Sequence, residues 1–405
     1  MDPDGPTVLL LDGDYDTSLV IASELTEDLE ATVVGTGTTR YSRLLRSNYC
    51  EYAAIVPPSD DPAYEDALLG VVRSSRPDIV LPVGYESMAS VDEIRSEIPD
   101  GVSLCVPPPE SFRTAVDKEA TLRRGRRLGI DTPADYSTLV RDLEADGRPP
   151  VADRLPFPLF LKARRENGSA TTAPVEDPAS FWDTYDRIAA AAPGGDVLVQ
   201  EYVEGSDSTY GCGLLCFDNE VELACLHEEL RSVPRHGGSG THLRLGRDDG
   251  LERDARRLLR SIGWNGVALV EFKRRRDGTF VLMEINPKFW ASYALASRFG
   301  YRFASTIVAD RLDLEVELPV GTPQRSGEMV FPLRELKFQI ENRSEASLSE
   351  YVTTMCKPSA AWDVDRRDLG AWLMPPMSLV SKLPTVDPSG SRTRSEPAVR
   401  GGMHG

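Results

Sequence analysis

The segment that decides the fold spans residues 267–292 and reads VALVEFKRRRDGTFVLMEINPKFWAS. Two apolar runs flank Asp277-Gly278, a dipeptide favoured in two-residue β-hairpin turns. The pattern therefore predicts an antiparallel hairpin. With a two-residue turn, residues equally distant from the turn lie opposite each other, which pairs Glu271 with Glu284.

Two carboxylates facing each other across a ladder repel, and a divalent cation between them removes the repulsion. Asn286 lies two residues after Glu284 and so points to the same face. Two carboxylates and an amide oxygen suit Mg²⁺ that is also held by phosphates. The alternative is a solvated charged face, which apolar neighbours such as Val270 and Ile285 disfavour. We therefore predict that Glu271, Glu284 and Asn286 bind Mg²⁺, provided that the turn has two residues.

The N-terminal third alternates short apolar runs with helical stretches. The runs lie at 8–11, 31–34, 53–56 and 78–83. This alternation predicts a parallel sheet with crossover helices, whose ligands bind at the carboxyl ends of the strands. Glu86 and Ser87 would lie there, either touching substrate or only capping a loop. No GxGxxG motif occurs, so a nicotinamide or flavin fingerprint is absent.

Composition excludes several classes of protein. The net charge is −18, from 64 acidic and 46 basic residues, which disfavours binding to nucleic-acid phosphates. The N-terminus lacks a basic signal-peptide region, and no run approaches a membrane span. We expect a cytoplasmic protein, and the acidic, lysine-poor balance is typical of halophilic proteins. The six cysteines form no CxxC pair and are expected to be buried free thiols.

Three further segments suggest nucleotide binding only weakly when each is considered alone. Lys162 ends an apolar run and precedes a small loop, an arrangement suited to phosphate oxygens. Lys118 lies near a helix start, where a solvated surface role is the simpler interpretation. The segment 200–205, QEYVEG, ends a strand; it could offer main-chain groups to adenine or be only a strand exit.

Taken in order along the chain, these segments resemble the ATP-grasp superfamily, which includes D-alanine–D-alanine ligase, biotin carboxylase and the carbamoyl-phosphate synthetase large subunit. The resemblance spans residues 5–315, and NPKFWAS at 286–292 is similar to one subgroup's motif. It implies an α/β and α+β fold, in which an N-terminal parallel α/β (pre-ATP-grasp) domain precedes a two-lobed ATP-grasp fold. The implied boundaries are an N-terminal domain at 1–113, a small lobe at 114–198, a C-terminal lobe with the metal site at 199–315, an extension at 316–383 and a disordered tail at 384–405.

The resemblance also implies a role for each matched residue, with ATP and Mg²⁺ as cofactors and Mn²⁺ as a substitute. These roles are ATP-phosphate contact by Lys118 and Lys162, a mobile loop with Gly168 and Ser169, adenine contact by Glu201 and Val203, ribose contact by Asp207, metal binding by Glu271, Glu284 and Asn286, and neutralisation of the transferred phosphoryl group by Lys288. The loop has fewer glycines than in many members, and Lys288 replaces the commoner Arg. Separately, Arg235 lies in a glycine-rich segment that is either a lid holding a substrate carboxylate or a plain hairpin connection.

The implied activity joins a carboxylate to an amine through an acyl-phosphate, with release of ADP. The alternatives are an ATP-grasp kinase of small molecules and a non-catalytic ATP-binding module. The expected partners are small-molecule carboxylates and amines, without nucleic acid or a membrane span, and a homodimer is left open. Residues 316–383 form either a small cap or, less simply, an amphipathic contact surface.

Overall fold

The computed structural model describes residues 5–165, 171–234, 238–316, 318, 323–324, 326–342 and 348–374, the side chains of 206, 207, 348 and 350 excepted. Within these ranges the strands form a five-stranded, a three-stranded and a seven-stranded sheet. The mixture of one parallel and two largely antiparallel sheets agrees with the α/β and α+β expectation.

The N-terminal sheet is parallel, as the alternation predicts. Its strands, in the order β3-β2-β1-β4-β5, are β1 (Thr7–Leu10), β2 (Thr32–Gly37), β3 (Tyr52–Ile55), β4 (Ile79–Leu81) and β5 (Ser103–Leu104), and its helices are α1 (Asp16–Leu29), α2 (Tyr64–Ser75) and α3 (Tyr85–Glu93). Just after β1, the Asp12 carboxylate accepts hydrogen bonds from Gly84 N (2.6 Å) and Ser87 Oγ (2.5 Å). Ser87 therefore takes part in a loop cap at the start of α3.

The second sheet forms a small lobe of its own. It contains β6 (Leu159–Ala163), β7 (Thr172–Val175) and β8 (Val197–Glu201) in the order β7-β6-β8, with helices α4 (Pro109–Val116), α5 (Lys118–Arg127) and α6 (Ser137–Ala145) before it and α7 (Phe181–Ala191) inside it. Phe181 and Ile188 of α7 are buried against Leu159 and Leu161 of β6. Asp117 caps α5 by accepting a hydrogen bond from Ala120 N (3.1 Å), which fixes the helix start next to Lys118.

The third sheet forms the floor of the large lobe. Its strands, in the order β13-β12-β9-β10-β11-β14-β15, are β9 (Gly205–Phe217), β10 (Glu220–Val233), β11 (Ser239–Leu245), β12 (Gly266–Arg275), β13 (Phe280–Asn286), β14 (Glu328–Val330) and β15 (Ala360–Trp362). The associated helices are α8 (Asp249–Ser261), α9 (Tyr293–Arg298), α10 (Phe303–Arg311), α11 (Pro332–Glu341), α12 (Leu348–Met355) and α13 (Leu369–Trp372). Apolar clusters cover both faces, one joining the sheet to α8 and the other joining it to α1, α9 and α10.

Most cysteines are buried, as expected. Cys212, Cys216 and Cys225 line the sheet interior and Cys105 the N-terminal domain; all six cysteines are free thiols, and Cys356 is exposed. Burial raises the pKa of Cys105 and Cys216 to about 12, so these thiols stay protonated and behave as small apolar groups.

The turn between β12 and β13 differs from the predicted two-residue turn. Arg274 pairs with Phe280, and Arg275 N donates to Thr279 O (2.8 Å), so the loop contains residues 276–278. Gly278 takes a φ of +93°, which is the left-handed conformation that ends a three-residue hairpin loop. The loop alone would shift the register by one residue, but the shift is reversed further along the hairpin.

The reversal is a β-bulge at Met283. Phe272 pairs with Leu282 whereas the adjacent Glu271 pairs with Glu284, which leaves Met283 as the extra residue. The predicted opposition of Glu271 and Glu284 is therefore confirmed, although by a loop and a bulge together. By contrast, Asp218-Asn219 is a true two-residue turn, with φ values of 48° and 69° and with Phe217 paired to Glu220.

The C-terminal extension is continuous with the large lobe. β14 pairs with β11 and β15 pairs with β14, so both strands lengthen the seven-stranded sheet. Glu335 of α11 is fully buried and accepts a hydrogen bond from Thr241 Oγ1 (2.7 Å) on β11. In the described part of the chain, no helix is long and apolar enough to span a membrane.

Candidate active site

A pair of opposed glutamates lies at the centre of the site. Glu271 of β12 and Glu284 of β13 are directly paired, and Gly211 of β9 is the next residue across the sheet from Glu271. Asn286 Nδ2 donates a hydrogen bond to Glu271 Oε1 (2.7 Å). The three residues predicted to bind a metal are thus brought together on one face of the sheet.

Two buried lysines approach the pair from outside the large lobe. Lys118 Nζ lies 3.7 Å and Lys162 Nζ 3.8 Å from Glu284 Oε2. Lys162 Nζ also donates to the main-chain oxygen of Met283 (3.2 Å), the bulge residue. Only 5% of Lys118 and 3% of Lys162 is exposed, so both cations are held at this position rather than in solvent.

Burial and charge separate the proton affinities of the two glutamates. Burial, followed by the repulsion from Glu284 and Glu229, raises the pKa of Glu271 to about 8. Burial alone would also raise the pKa of Glu284, but the nearby lysines, Lys288 among them, hold it below the ordinary value. Burial lowers the pKa of Lys162 to about 8. Lys162 and Lys118 oppose the rise in the pKa of Glu271 without cancelling it, and a bound cation there would favour the ionised carboxylate.

The donor set fits a hard divalent cation. Carboxylate and amide oxygens from Glu271, Glu284 and Asn286 are ligands that Mg²⁺ accepts, and phosphate oxygens can complete its coordination. Among the described residues, no group of three His, Cys, Asp or Glu side chains could hold a metal. The candidate site therefore depends on Asn286 and on a phosphate ligand.

The segment at the end of β8, which is predicted to bind adenine, contains an ion pair between Glu201 and Arg275. The Glu201 carboxylate is bound by the guanidinium of Arg275, with Nη2 at 3.0 Å from Oε2, and accepts from Ala134 N (3.1 Å). These contacts lower the pKa of Glu201. Because its carboxylate is engaged, an adenine contact here would come from the main chain near the buried Val203.

Several predicted residues cannot be placed. Gly168, Ser169 and Arg235 lie outside the described residues, as does the side chain of Asp207, whose main chain belongs to β9. Their roles remain predictions.

Sequence reasoning missed an aromatic and glycine cluster beside the glutamates. His227 of β10 lies opposite Gly211, and its ring covers the position that a Cβ of residue 211 would take, 2.5 Å from Cε1. The His227 ring stacks on Trp290 (6.3 Å between centroids, 15° between planes), which in turn fills the space over Gly213. Burial lowers the pKa of His227 to about 4, so the imidazole is neutral at pH 7.

A third carboxylate on the same face, Glu229, was also missed. Glu229 lies two residues after His227 on β10, so both side chains project to the same face of the sheet as Glu271. The sequence does not mark either residue, because His227, Glu228 and Glu229 are consecutive polar residues without an alternation that would assign them to one face. Their proximity to Glu271 depends on strand order, which is a long-range property.

Known proteins resemble this chain in sequence and in overall fold. The chain is 22% identical over 284 residues to the carbamoyl phosphate synthase large chain of Campylobacter jejuni, covering 65% of this chain and 25% of that one. It is 26% identical over 237 residues to a putative D-alanine–D-lactate ligase of Streptomyces coelicolor, covering 54% and 65%. The solved biotin carboxylase domain dimer of Hydrogenobacter thermophilus 2-oxoglutarate carboxylase, in complex with MgADP, ADP and bicarbonate, superposes with a TM-score of 0.64 over 80% of this chain and 73% of that one, at 15% identity.

The chain has the fold of the ATP-grasp enzymes and is similar in sequence to ligases of that superfamily. No family model matches it. It spans a quarter of the carbamoyl phosphate synthase chain and somewhat under two thirds of the D-alanine–D-lactate ligase. The five-stranded, three-stranded and seven-stranded sheets follow one another along the chain, and the domain boundaries at 113, 198, 315 and 383 remain predictions.

Proposed function

We propose that this ATP-grasp protein is an Mg²⁺- and ATP-dependent ligase that joins a carboxylate to an amine through an acyl-phosphate, with release of ADP. The observation that carries the proposal is the opposed Glu271–Glu284 pair with two buried lysines within 4 Å of Glu284. Phosphoryl transfer needs mainly positioning and charge neutralisation, and these groups provide both.

Each residue has a distinct part in the proposed reaction. Lys118 and Lys162 bind and orient the phosphates of ATP, and Glu271, Glu284 and Asn286 would hold Mg²⁺. When bound, Mg²⁺ supplies charge neutralisation to the phosphate oxygens. Lys288 lies beyond Glu284 on the same segment and stabilises the negative charge on the group in transfer. Burial of these side chains excludes the water that would hydrolyse an acyl-phosphate.

A small-molecule kinase is the second candidate, because it would use the same phosphoryl-transfer groups. The two differ in their dependence on an amine, which only the ligase requires for turnover. A non-catalytic ATP-binding module is the third candidate. It is disfavoured because burying two lysines and two opposed glutamates costs stability that nucleotide binding alone does not require.

The test is Mg²⁺-dependent release of ADP and phosphate from ATP, with pooled amino acids and other carboxylates, at low and high KCl. Release that rises with one carboxylate–amine pair supports the ligase. A phosphorylated carboxylate that accumulates without any amine dependence identifies the kinase. Binding of ATP without any release would favour the non-catalytic module.

A variant of the proposed metal site shows whether the ADP release comes from this protein or from a contaminating enzyme. Glu284→Gln keeps the size of the side chain and removes its charge, so Mg²⁺-dependent release should fall at least 100-fold, by analogy with the loss of one charged catalytic group. Glu220→Gln is the matched control, since its side chain is 78% exposed and lies at the Asp218-Asn219 turn. Equal activity of Glu284→Gln and the control would refute the site.

The cellular setting is also proposed rather than tested. A ligase acting on ATP and small metabolites would operate in the cytoplasm. The homodimer remains a prediction, supported only by the dimer described for the Hydrogenobacter thermophilus domain. High KCl in the assay tests the halophilic interpretation of the acidic composition.

A further inference from the structure

The loop between β13 and α9, which contains Lys288, is held from outside at two adjacent carbonyl groups. The loop itself belongs to no strand or helix. Trp290 O accepts a hydrogen bond from Thr17 Oγ1 (3.2 Å), and Ala291 O accepts one from Arg334 Nη2 (3.0 Å). Thr17 belongs to α1 and Arg334 to α11, so the N-terminal domain and the C-terminal extension both reach this loop.

The guanidinium of Arg334 joins three parts of the molecule. Besides its bond to Ala291 O, Nη2 contacts Asp16 Oδ2 of α1 (3.2 Å), and Nη1 donates to Gly240 O of β11 (3.3 Å). The group also lies over the Phe331 ring, 4.4 Å from its centroid, and 16% of the side chain is exposed. A planar fork of N–H donors matches acceptors that lie in several directions, whereas a lysine ammonium is a point charge on a flexible stem.

The first turn of α1 fixes the guanidinium from the side of the N-terminal domain. Asp16 forms ion pairs with both Arg43 and Arg334, so its carboxylate is held between two arginines. Thr17, the next residue of α1, holds Trp290 O directly. This turn therefore orients two adjacent carbonyl groups of the loop, one by a direct hydrogen bond and the other through Arg334.

The anchored loop bears on the proposed chemistry because it places Lys288. Under the proposed function, the Lys288 ammonium stabilises the group in transfer, and a displacement of about 1 Å in such a group can cost about 100-fold in rate. Ala291 lies three residues after Lys288 in the same loop, so the hydrogen bond at Ala291 O restricts the path of the main chain there. Lys118 and Lys162 belong to α5 and β6, so binding of the ATP phosphates should not require this contact.

We propose that Arg334 is a positioning residue of the ligase, which fixes the loop through Ala291 O and thereby places the Lys288 ammonium at the group in transfer. The inference rests on the proposed function. It extends the working site to residues 316–383, which lie outside the span of the family resemblance. The C-terminal extension would thus take part in the reaction by orienting a residue of the large lobe.

The experiment uses Arg334→Lys in the full-length chain, with release of ADP from ATP and Mg²⁺ in the presence of pooled amino acids and other carboxylates. The variant keeps a positive charge beside Asp16, so its melting temperature should stay close to that of the wild type. It loses the forked geometry, so kcat should fall about 10- to 100-fold. The KM for ATP should change less than about 3-fold, because the lysines proposed to bind the phosphates are untouched.

A double-mutant cycle tests whether Arg334 acts through Lys288. Lys288→Met removes the ammonium that Arg334 is proposed to place. In that background, Arg334→Lys should lower kcat less than about 3-fold further, because nothing is left to position. Single-turnover release of ADP at high enzyme concentration measures the slow variants.

Hydrogen–deuterium exchange of the peptide spanning residues 286–292 measures the anchoring itself. Exchange should be faster in Arg334→Lys than in the wild type, because local opening of the loop becomes easier. Arg253→Lys on α8 is the matched control, since 68% of the Arg253 side chain is exposed. This control should match the wild type in kcat, in the KM for ATP and in exchange of the peptide.

Each outcome has a definite meaning. A wild-type kcat in Arg334→Lys overturns the assignment, since a positive charge beside Asp16 would then be sufficient. Unchanged exchange in the peptide, a KM for ATP that rises as much as kcat falls, or the full loss of kcat in the Lys288→Met background also overturns it. If the wild type itself releases no ADP with any substrate pair, the ligase function fails and this inference falls with it.

Discussion

At the scale of single residues, the candidate site brings two negative charges together and places two positive charges beside one of them. Glu271 and Glu284 oppose each other, and Lys118 and Lys162 both approach Glu284. Glu271 accepts a hydrogen bond from Asn286 and has a raised pKa. Under the proposed function, the lysines would bind the phosphates and a metal ion would bind Glu271.

Lys162→Met tests the lysine half of that division. The side chains have similar volume, so the change removes a charge and the hydrogen bond to Met283 O while keeping the packing. We expect kcat for ADP release to fall about 100- to 1,000-fold. This is the loss typical of removing one hydrogen-bond donor that stabilises the negative charge of a transition state. The melting temperature should hold, because the desolvation cost of the buried lysine disappears with its interactions.

The control is Lys337→Met on α11, where 60% of the side chain is exposed and its partner is Glu341 one turn away. This variant should match the wild type in kcat. A Lys162→Met enzyme with wild-type kcat would show that Lys162 has a structural role alone.

At the scale of elements, the sequence predicts the features that depend on local patterns, namely the alternation of strands with helices and the residue preferences of turns. The parallel N-terminal sheet and the Asp218-Asn219 turn follow local patterns and are confirmed. The β12–β13 loop was predicted incorrectly, because Asp277-Gly278 fits a two-residue turn as well as the last two positions of a three-residue loop. Only the pairing of Arg274 with Phe280 distinguishes them.

Long-range pairing explains what was missed in the site. Glu229 and His227 are neighbours of Glu271 because β9 lies between β12 and β10 in the sheet. No local pattern in the sequence encodes that order. Lys118 was found only through the resemblance to a family, since a lysine near a helix start has no distinguishing feature by itself.

Gly278→Ala tests the three-residue loop. A left-handed residue with a Cβ costs about 1 kcal/mol or more, so the free energy of unfolding should drop by about that amount in urea denaturation. Gly101→Ala is the control, because Gly101 has open space around its Cβ position and no positive φ. It should be neutral or slightly stabilising. Equal stability of the two variants would contradict the left-handed conformation of Gly278.

At the scale of the whole molecule, the domains are joined by buried polar contacts. Glu24 of α1 is fully buried, and its carboxylate accepts from Tyr293 Oη (2.8 Å), Ser297 Oγ (2.7 Å) and Ala304 N (3.0 Å). These partners belong to the start of α9, its end and the first turn of α10. The N-terminal domain is thus tied to the segment that follows the NPKFWAS motif.

This junction predicts a pH dependence of stability. Burial raises the pKa of Glu24 from 4.5 to about 6, although its hydrogen-bond donors oppose the shift. Between these values the folded protein binds more protons at this site than the unfolded chain, so stability falls as pH rises through the interval. From pH 5 to pH 7, the free energy of unfolding of the wild type should decrease by about 1 kcal/mol relative to that of Glu24→Gln.

Urea denaturation of both proteins at several pH values between 5 and 7 measures this difference. Glutamine cannot accept from as many donors, so the variant will differ from the wild type at every pH, and the informative quantity is how the gap changes. If the free energy of unfolding of the wild type falls relative to that of Glu24→Gln as pH rises, Glu24 is protonated in the folded protein at low pH. A constant difference would mean that the hydrogen bonds from Tyr293, Ser297 and Ala304 outweigh the effect of burial. Glu24 would then stay ionised in the folded protein over the whole pH range.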